Sequence, residues 1–183
     1  MIESMAALHY RTKQFLAALN PHIADSDRQL VQSVLGQNRR ALALFQQMSV
    51  ADQQHAIAVL QALLDRDERA KSDIGLQQAA LLHDAGKALG QPLLYRVAIV
   101  LLNFFWPAGL NKLAQAPLTC AAWRKPFVIH AQHPQIGATW AQEAGCSKLT
   151  VTLINIHQEK PPSTPKTQLE KWHQALYEVD SEH

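Results

Sequence analysis

A strongly apolar segment that ends on a histidine and an aspartate constrains this chain more than any other feature. Residues 77–82 are Gln-Gln-Ala-Ala-Leu-Leu, and His-Asp-Ala-Gly-Lys follows at 83–87. Because the position before the pair is apolar, His83 and Asp84 are expected to leave a core-facing helix, which a glycine ends two residues later. The imidazole and the carboxylate can converge on one divalent ion, or the carboxylate can bridge two. The pair therefore indicates a metal site, provided that further ligands lie elsewhere.

Helical spacing of apolar residues continues through the rest of the chain. It predicts helices over residues 4–18, 26–35, 41–48, 50–64, 76–84, 93–106, 134–145, 148–157 and 165–179. The polar run 65–73 is expected to be a loop, and residues 107–126 are only loosely patterned. No convincing alternation of apolar and polar residues bounded by turns is present in the sequence. The chain is therefore predicted to be an all-α bundle.

Local signals predict where several of these helices begin. Ser49 and Asp52 have the spacing of a capping box. Pro134 is expected in the first turn of its helix, where proline is tolerated best. The other predicted N-caps are Asp25 or Ser26, Ser147, and Thr164 with Pro165 as the first helical residue.

Length and composition exclude several classes of protein. The chain has 183 residues, 48% of them hydrophobic and 17% charged, which is typical of one folded domain. Its 17 basic residues are scattered and its net charge is +2, so we expect no nucleic-acid partner. Cys120 and Cys146 show no paired spacing, which favours buried thiols in a reducing compartment. No signal peptide is visible, and we expect a cytoplasmic protein.

The most hydrophobic stretch of the sequence lies at residues 97–106. It is shorter than the roughly 20 apolar residues that cross a bilayer, and it is interrupted by polar residues such as Asn103. We therefore predict a buried core helix and no transmembrane span. The aromatic run 104–106 favours an alternative, in which the segment is exposed and contacts a membrane surface or a second copy in a homodimer.

The nine histidines fall into groups according to their sequence neighbours. Those at polar positions are expected at the surface: His9, His22, His173 and His183. Three others lie on or beside apolar helical segments: His55, His133 and His157. Any one of these three alone is more often a hydrogen-bonded core residue than a metal ligand.

Taken together, the polar groups beside apolar helices predict a buried metal site. Five helices deliver them: His55, His83 with Asp84, His133, His157 and Asp180. Burying so many titratable groups without partners is expensive, and coordination of cations removes that cost. Imidazole and carboxylate ligands fit Mn, Fe, Co, Ni or Zn, while the cysteine spacing excludes a thiolate site.

The order of these residues resembles that of a known family. His55, the His83-Asp84 pair and Asp180 follow one another as in the HD superfamily of metal-dependent phosphohydrolases, and residues 81–87 are similar to its central motif. The segment 133–138 and the Ile-His pair at 156–157 are similar to two further histidine motifs of its dinuclear members. Those members include bacterial diadenosine tetraphosphate hydrolases and HD-GYP cyclic-dinucleotide phosphodiesterases.

The resemblance implies a helical HD domain over residues 48–183, preceded by a helical extension at 1–47. The apolar insertion at about 88–127 is expected to form a lid or an interface beside the site. The implied cofactors are two divalent ions of Fe, Mn, Ni, Co, Zn or Mg. The implied ligands of the first ion are His55, His83, Asp84 and Asp180; Asp84 bridges to the second, which His133 and His157 complete.

The resemblance also implies a mechanism in which a hydroxide between the metals attacks phosphorus. Besides Asp84, two residues are candidate catalytic groups. Lys87 is expected either to contact the phosphate as a point charge or to be an ordinary solvated side chain. His130 is expected to support a metal ligand, to donate a proton or to contact the substrate. The alternative is an ordinary surface histidine.

Two departures from the family pattern narrow the expected function. Lys-Pro-Pro follows at residues 160–162 in place of a Gly-Tyr-Pro loop, which argues against a cyclic-dinucleotide phosphodiesterase. Gln158 replaces a second adjacent histidine, so a third metal is not expected. The expected function is hydrolysis of a nucleotide or another small phosphoester. The alternative is a catalytically inactive metal- or nucleotide-binding regulatory module, associated with a membrane or a partner.

Overall fold

The computed structural model describes residues 22–90 and 92–183, and this part of the chain is helical without any strand. Its α-helices are α1 (Asp25–Leu35), α2 (Arg39–Gln47), α3 (Val50–Arg66), α4 (Ile74–Leu82), α5 (Leu93–Phe105), α6 (Pro107–Ala114), α7 (Lys125–Glu143), α8 (Lys148–Ile156) and α9 (Gln168–Glu182). Two short 3₁₀-helices lie at Glu68–Ser72 and Ala85–Leu89. The all-α prediction is thus confirmed, while the helix expected at residues 4–18 lies outside the described residues.

Helix α4 is the centre of the main core. Leu76, Leu81 and Leu82 are completely buried, and the helix packs against α1, α2, α3 and α8. Burying one such leucine contributes roughly 1.5–3 kcal/mol relative to leaving it exposed. Residues of α1 and α2, which belong to the expected N-terminal extension, enter the same core through Leu35 and Phe45. The polar pair that follows α4 is therefore delivered into the interior of the bundle.

The predicted helix starts are partly confirmed. Ser147 caps α8 by accepting a hydrogen bond from the Thr150 N–H at 3.1 Å. Ser49 caps α3 in the same way, at 3.2 Å from the Asp52 N–H. The carboxylate of Asp52 does not complete the capping box, because it accepts hydrogen bonds from the Ser49 hydroxyl and from both terminal nitrogens of Arg96.

Other predicted helix boundaries are wrong. The segment 65–73 is not a loop, because α3 continues to Arg66 and a 3₁₀-helix follows. The loosely patterned segment 107–126 contains α6. At the start of α1 no side chain caps the helix, so neither Asp25 nor Ser26 is the N-cap. The first helix of the motif region ends at Leu82, before the predicted Asp84, and Gly86 lies in the 3₁₀-helix that follows.

Two predictions that depended on proline are also wrong. Helix α7 begins at Lys125 with Pro126 in its first turn, so Pro134 lies inside the helix. The last helix begins after Thr167 and not at Thr164-Pro165. Thr167 forms a full capping box with Glu170, whose carboxylate accepts the Thr167 N–H at 3.0 Å. This reciprocal pair satisfies two backbone N–H donors at once. Thr164 cannot form such a pair, because no glutamate lies three residues after it.

The prediction of a buried core helix for residues 97–106 is wrong. Helix α5 buries Ile99 in a small separate cluster with Leu110 and Phe127, but most of its large apolar side chains are exposed. The alternative of an exposed apolar segment therefore describes this region. Within the described residues, no single helix is long and apolar enough to cross a bilayer. Among the described residues, one bent pair of helical segments, Ile74–Leu89 and Leu94–Phe105, is long and apolar enough when the two are taken together, with an angle of 104° between them. This rests on length and composition alone, and the first segment of the pair belongs to the core.

Candidate metal centre

Six side chains from five helices meet in the interior of the bundle. They are His55 on α3, His83 and Asp84 directly after α4, His133 on α7, His157 directly after α8 and Asp180 on α9. Four of them, the residues at positions 83, 84, 133 and 157, are at most 2% exposed. These are the six metal ligands expected from the sequence, and the structure brings all of them together.

A first group of ligand atoms surrounds Oδ2 of Asp84. Nε2 of His83 lies 3.6 Å and Nε2 of His55 lies 3.9 Å from this oxygen, and the two nitrogens are 3.3 Å apart. Oδ1 of Asp180 lies 2.9 Å from the His55 nitrogen and 3.3 Å from the His83 nitrogen. His55, His83 and Asp84 lie close enough together to hold a metal ion, and Asp180 contacts both histidines.

A second group surrounds the other oxygen of the same carboxylate. Nε2 of His133 lies 3.2 Å and Nε2 of His157 lies 3.8 Å from Oδ1 of Asp84. The two imidazole nitrogens are 3.3 Å apart. Asp84 therefore offers one oxygen to each group, as a carboxylate does when it bridges two metals.

The three most deeply buried histidines are oriented by carbonyls of their own helices. Nδ1 of His83 donates to the Ala80 carbonyl at 2.9 Å, and Nδ1 of His157 donates to the Ile154 carbonyl at 2.7 Å. Both acceptors lie in the last turn of a helix, where carbonyls lack an intrahelical partner. Each Nδ1 thus carries a proton and each Nε2 faces the centre, where it can bind a metal once any proton on Nε2 is lost.

Pro134 gives His133 the same orientation in the middle of a helix. A proline has no N–H, so it leaves free the carbonyl of the residue four positions earlier, His130. Nδ1 of His133 donates to that carbonyl at 2.7 Å. The internal proline therefore creates the acceptor that directs Nε2 of this histidine towards Asp84.

The donor set fits divalent metal ions. The His133 and His157 nitrogens cannot donate to each other when both Nδ1 atoms carry the proton, so their lone pairs face a common point with Oδ1 of Asp84. For bonds of about 2.1 Å, neighbouring ligand atoms lie about 3.0 Å apart in an octahedron and about 3.4 Å in a tetrahedron. Most of the observed separations, 2.9–3.9 Å, fall close to these values. The two groups can therefore hold metal ions.

The electrostatics of the first group favour a cation strongly. Burial raises the pKa of Asp84, but Lys87 and His83 outweigh it and hold that pKa well below its usual range. Burial acts in the same direction on Asp180, and the charge of His83 and the hydrogen bond with His55 hold its pKa low as well. Burial by itself lowers the pKa of His83, but the two carboxylates raise it to about 9. In the metal-free chain His83 is therefore protonated at neutral pH, and its positive charge partly balances the two carboxylates.

In the second group, the pKa of His157 is shifted in the opposite direction from that of His83. Burial lowers the pKa of His157 to about 3, and the charge of His83 adds to this effect. His157 is therefore neutral at neutral pH and ready to bind a metal without losing a proton.

The two other expected catalytic residues lie at the edge of the centre. Nζ of Lys87 contacts Oδ2 of Asp84 at 2.6 Å, so Lys87 is not an ordinary solvated side chain. His130 is half-buried and stacks on His133, with ring centroids 6.3 Å apart. Burial, together with His133 and Lys87, lowers the pKa of His130 to about 4. The expectation of a plain surface histidine is thus wrong for this residue.

Among the histidines expected at the surface, His22 is exposed, and His9 lies outside the described residues. The prediction for His173 is wrong: it is 5% exposed and its Nε2 pairs with the Glu159 carbonyl at 3.0 Å. His173 follows the buried Trp172 on α9 and is buried with it. The polar residues near it in the sequence did not indicate this burial. His183 is half-buried.

Three residues that matter for the centre were not identified from the sequence. Gly86 and Gly137 let the 3₁₀-helix approach α7 closely, since a Cβ on Gly86 would lie 2.2 Å from the His133 carbonyl oxygen. Arg96 of α5 binds Asp52 through two hydrogen bonds of 2.7 Å. Those bonds, and to a smaller extent the charge of Asp84, raise the pKa of Arg96. The sequence signals the first two only by their position, since Gly86 follows Asp84 by two residues and Gly137 follows His133 by four.

The raised pKa of His83 predicts a pH dependence of metal binding. An ion in the first group must displace the His83 proton, so its affinity rises as the pH approaches about 9 and levels off above it. Between pH 7 and 8.5 we expect roughly a tenfold gain in affinity per pH unit, since one proton is released. Calorimetric titration with Mn²⁺ in buffers of different ionisation enthalpy measures that proton. An affinity that does not change with pH in this range contradicts the assignment.

Comparison of the chain with protein-family models, with curated proteins and with solved structures finds no match.

Proposed function

We propose that this protein is a metal-dependent phosphohydrolase of the HD type, which binds two divalent ions and cleaves a nucleotide or another small phosphoester. The observation that carries the proposal is the position of Asp84, whose Oδ2 lies near His55 and His83 and whose Oδ1 lies near His133 and His157. The order of these ligands along the chain resembles the order in that superfamily, and their convergence is what a dinuclear member requires.

The ligand shell has a defined role in this proposal. His55, His83, Asp84 and Asp180 would hold one ion of Fe, Mn, Co, Ni, Zn or Mg, and Asp84, His133 and His157 the other. Bound ions supply Lewis-acid activation of water and of the phosphoester. The helix carbonyls that accept from the Nδ1 atoms keep three of the imidazoles in the metal-binding tautomer.

Two cations suit the centre to an anionic substrate. The Lys87 side chain is 21% exposed and that of Arg96 is 30% exposed, so both face the solvent as well as the interior. Lys87 donates a hydrogen bond to Oδ2 of the bridging carboxylate, Asp84. One carboxylate oxygen has two lone pairs, so it can accept from an ammonium group and bind a metal at the same time. In the proposal, Lys87 binds a substrate phosphate as a point charge. His130 supports His133 by stacking on its ring.

The proposal is tested by metal analysis combined with a hydrolysis panel. Purified wild-type protein should carry about two transition-metal ions per chain, as expected for a dinuclear site, and should hydrolyse at least one nucleotide or phosphoester in the presence of Mn, Fe, Co, Ni or Mg. The His157→Gln variant should retain one ion and lose most of the activity. His173→Gln is the matched control, because His173 is also buried but lies outside the centre.

The outcomes separate the candidate functions. Loss of one ion and of activity in His157→Gln, with both retained in His173→Gln, supports the phosphohydrolase. Two bound ions without hydrolysis of any substrate in the panel would favour the inactive metal-binding module. A folded wild-type chain that binds none of the five metals of the panel, and no Zn, contradicts both forms of the proposal.

A further inference from the structure

Helix α5 is apolar on two opposite faces, and only one face is covered. Its inner face packs into the small cluster around Ile99. Its outer face is an exposed stripe at helical spacing, which we call the apolar stripe: Leu94, Val97, Val100, Leu101 and Phe104. Leu94 is 77% exposed and Phe104 is 78% exposed. Large side chains with so little cover form a patch of the kind that marks an interaction surface.

The end of the hairpin formed by α5 and α6 extends this surface. Phe105 is 76% exposed and Trp106 is 60% exposed, and both lie where the chain turns from α5 into α6. A Cβ on Gly109 would lie 2.3 Å from the Trp106 ring, so the ring is held against the first turn of α6. Trp123, just before α7, is exposed as well. Exposed tryptophan and phenylalanine side chains are typical of proteins that insert into the headgroup region of a bilayer.

The charge of this part of the chain has one sign only. Residues 85–142 contain five basic residues, at positions 87, 96, 112, 124 and 125, and not one of the 15 acidic residues of the sequence. Lys112 is exposed and Lys125 half-exposed. Among the described residues, the hydrogen-bond partners of the Arg124 guanidinium are neutral backbone carbonyls, of Leu113 at 2.7 Å and of Lys112 and Gln115. At least three positive charges therefore accompany the exposed apolar surface.

This charge pattern decides between a lipid surface and a second copy of the chain. In a symmetric dimer the same patch meets itself, so the basic residues around the hairpin would face one another without an acidic group from this segment. Anionic lipid headgroups supply the missing negative charge. Helix α5 has 13 residues and is about 20 Å long, which is too short for the roughly 30 Å of a hydrocarbon core. Helix α5 is therefore suited to lie in the plane of the membrane interface.

We propose that the α5–α6 hairpin docks this protein on an anionic lipid surface. The apolar stripe, Phe105 and Trp106 enter the boundary between headgroups and acyl chains, and Lys112, Arg124 and Lys125 bind the phosphates. Arg96 ties the base of the same hairpin to Asp52 of α3, so the docked surface lies beside the metal centre. The proposal is independent of the proposed hydrolysis, because its readout is binding alone.

Vesicle co-sedimentation of the full chain tests the proposal. Vesicles of phosphatidylcholine with about 30% phosphatidylglycerol should bind the wild type at least about tenfold more tightly than phosphatidylcholine alone, given three cations near the surface. Replacing Phe104 and Phe105 together by serine should weaken binding at least about tenfold through loss of apolar burial. Lys112→Glu should weaken it about tenfold on the anionic vesicles only. Brominated lipids should quench the tryptophan fluorescence of the bound wild type.

The matched control is Ile74→Ser, because Ile74 is 52% exposed on α4, away from the hairpin. It should bind vesicles like the wild type, and circular dichroism should show that every variant keeps its helices. Equal binding to both vesicle types, or no binding to either, overturns the proposal. A wild-type dimer in sedimentation velocity that the double phenylalanine variant dissociates, without vesicle binding, assigns the surface to a second copy instead.

Discussion

The Asp84→Asn variant is expected to lose both metal ions while the chain stays folded. Asp84 is the one side chain shared by the two ligand groups, and an amide of the same size lacks the negative charge that both ions require. If the proposed activity is present, hydrolysis should fall by about three orders of magnitude or more, since Lewis-acid stabilisation is worth several kcal/mol and each 1.4 kcal/mol is about tenfold in rate. Metal content by mass spectrometry and the hydrolysis rate measure the two effects.

The matched control for Asp84→Asn lies at the other end of the same helix. Asp73 caps α4 by accepting the Leu76 N–H at 3.0 Å, and its second oxygen accepts from the Trp172 indole at 2.8 Å. Asparagine is also a good N-cap, so Asp73→Asn should keep both ions. Its NH2 group cannot accept from the Trp172 indole, so we expect a loss of about 1–3 kcal/mol in stability from that hydrogen bond. If Asp84→Asn retains two ions per chain, the bridging assignment is wrong. Loss of ions from both variants would point to a general effect on folding.

The candidate metal centre was predictable because its residues are locally anomalous. A histidine or aspartate directly after an apolar helix is expensive to bury without a partner, and the sequence repeats this pattern at His83 and His157. Both residues lie at the C-terminal ends of their helices, where the carbonyls three positions earlier are free to orient them. One physical rule therefore explains both positions, and the amino-acid sequence alone is enough to apply it.

His133 follows a different rule, which explains why Pro134 was misplaced. A proline normally destabilises the inside of a helix because a backbone hydrogen bond is lost. Here the carbonyl that it leaves free, that of His130, accepts from the His133 ring instead. The hydrogen bond to a side chain offsets part of the cost, so α7 continues through Pro134. A sequence rule for helix starts has no access to this tertiary compensation.

The exposure of α5 was not predictable from hydrophobicity. An apolar segment of this length is equally consistent with a core helix and with an interface helix, since both need the same side chains. What decides is how many neighbouring helices cover it, and α5 packs mainly against α6 and α7, with Arg96 reaching Asp52 of α3. The choice of Thr167 over Thr164 as a cap is different in kind, because only Thr167 has a glutamate three residues later and the sequence contains that signal.

The Gly86→Ala variant should show the largest loss of stability. A Cβ at this position would lie 2.2 Å from the His133 carbonyl oxygen and 2.9 Å from its carbonyl carbon, both of which are backbone atoms of a long helix. Relief requires the 3₁₀-helix and α7 to move apart, which also separates His133 from Asp84. We expect a decrease of about 3 kcal/mol in the free energy of unfolding, at the upper end for overpacking. Urea unfolding of the metal-free chain measures it.

The Gly86→Ala substitution should also weaken binding of the second metal ion. Both effects should be specific to the contact between Gly86 and the backbone of His133. In Gly86→Ala the affinity of the ion held by His133 and His157 should fall at least about tenfold, as for other changes in the surroundings of a ligand. Gly75→Ala is the control: its Cβ would meet Ser147 Oγ at 3.1 Å and Leu149 Cδ2 at 3.2 Å, both side-chain atoms that can shift. That variant should stay within about 1 kcal/mol of the wild type, because alanine also favours the helix. If Gly86→Ala is as stable as Gly75→Ala and keeps both ions, the close approach of the 3₁₀-helix to α7 is not what positions His133 against Asp84.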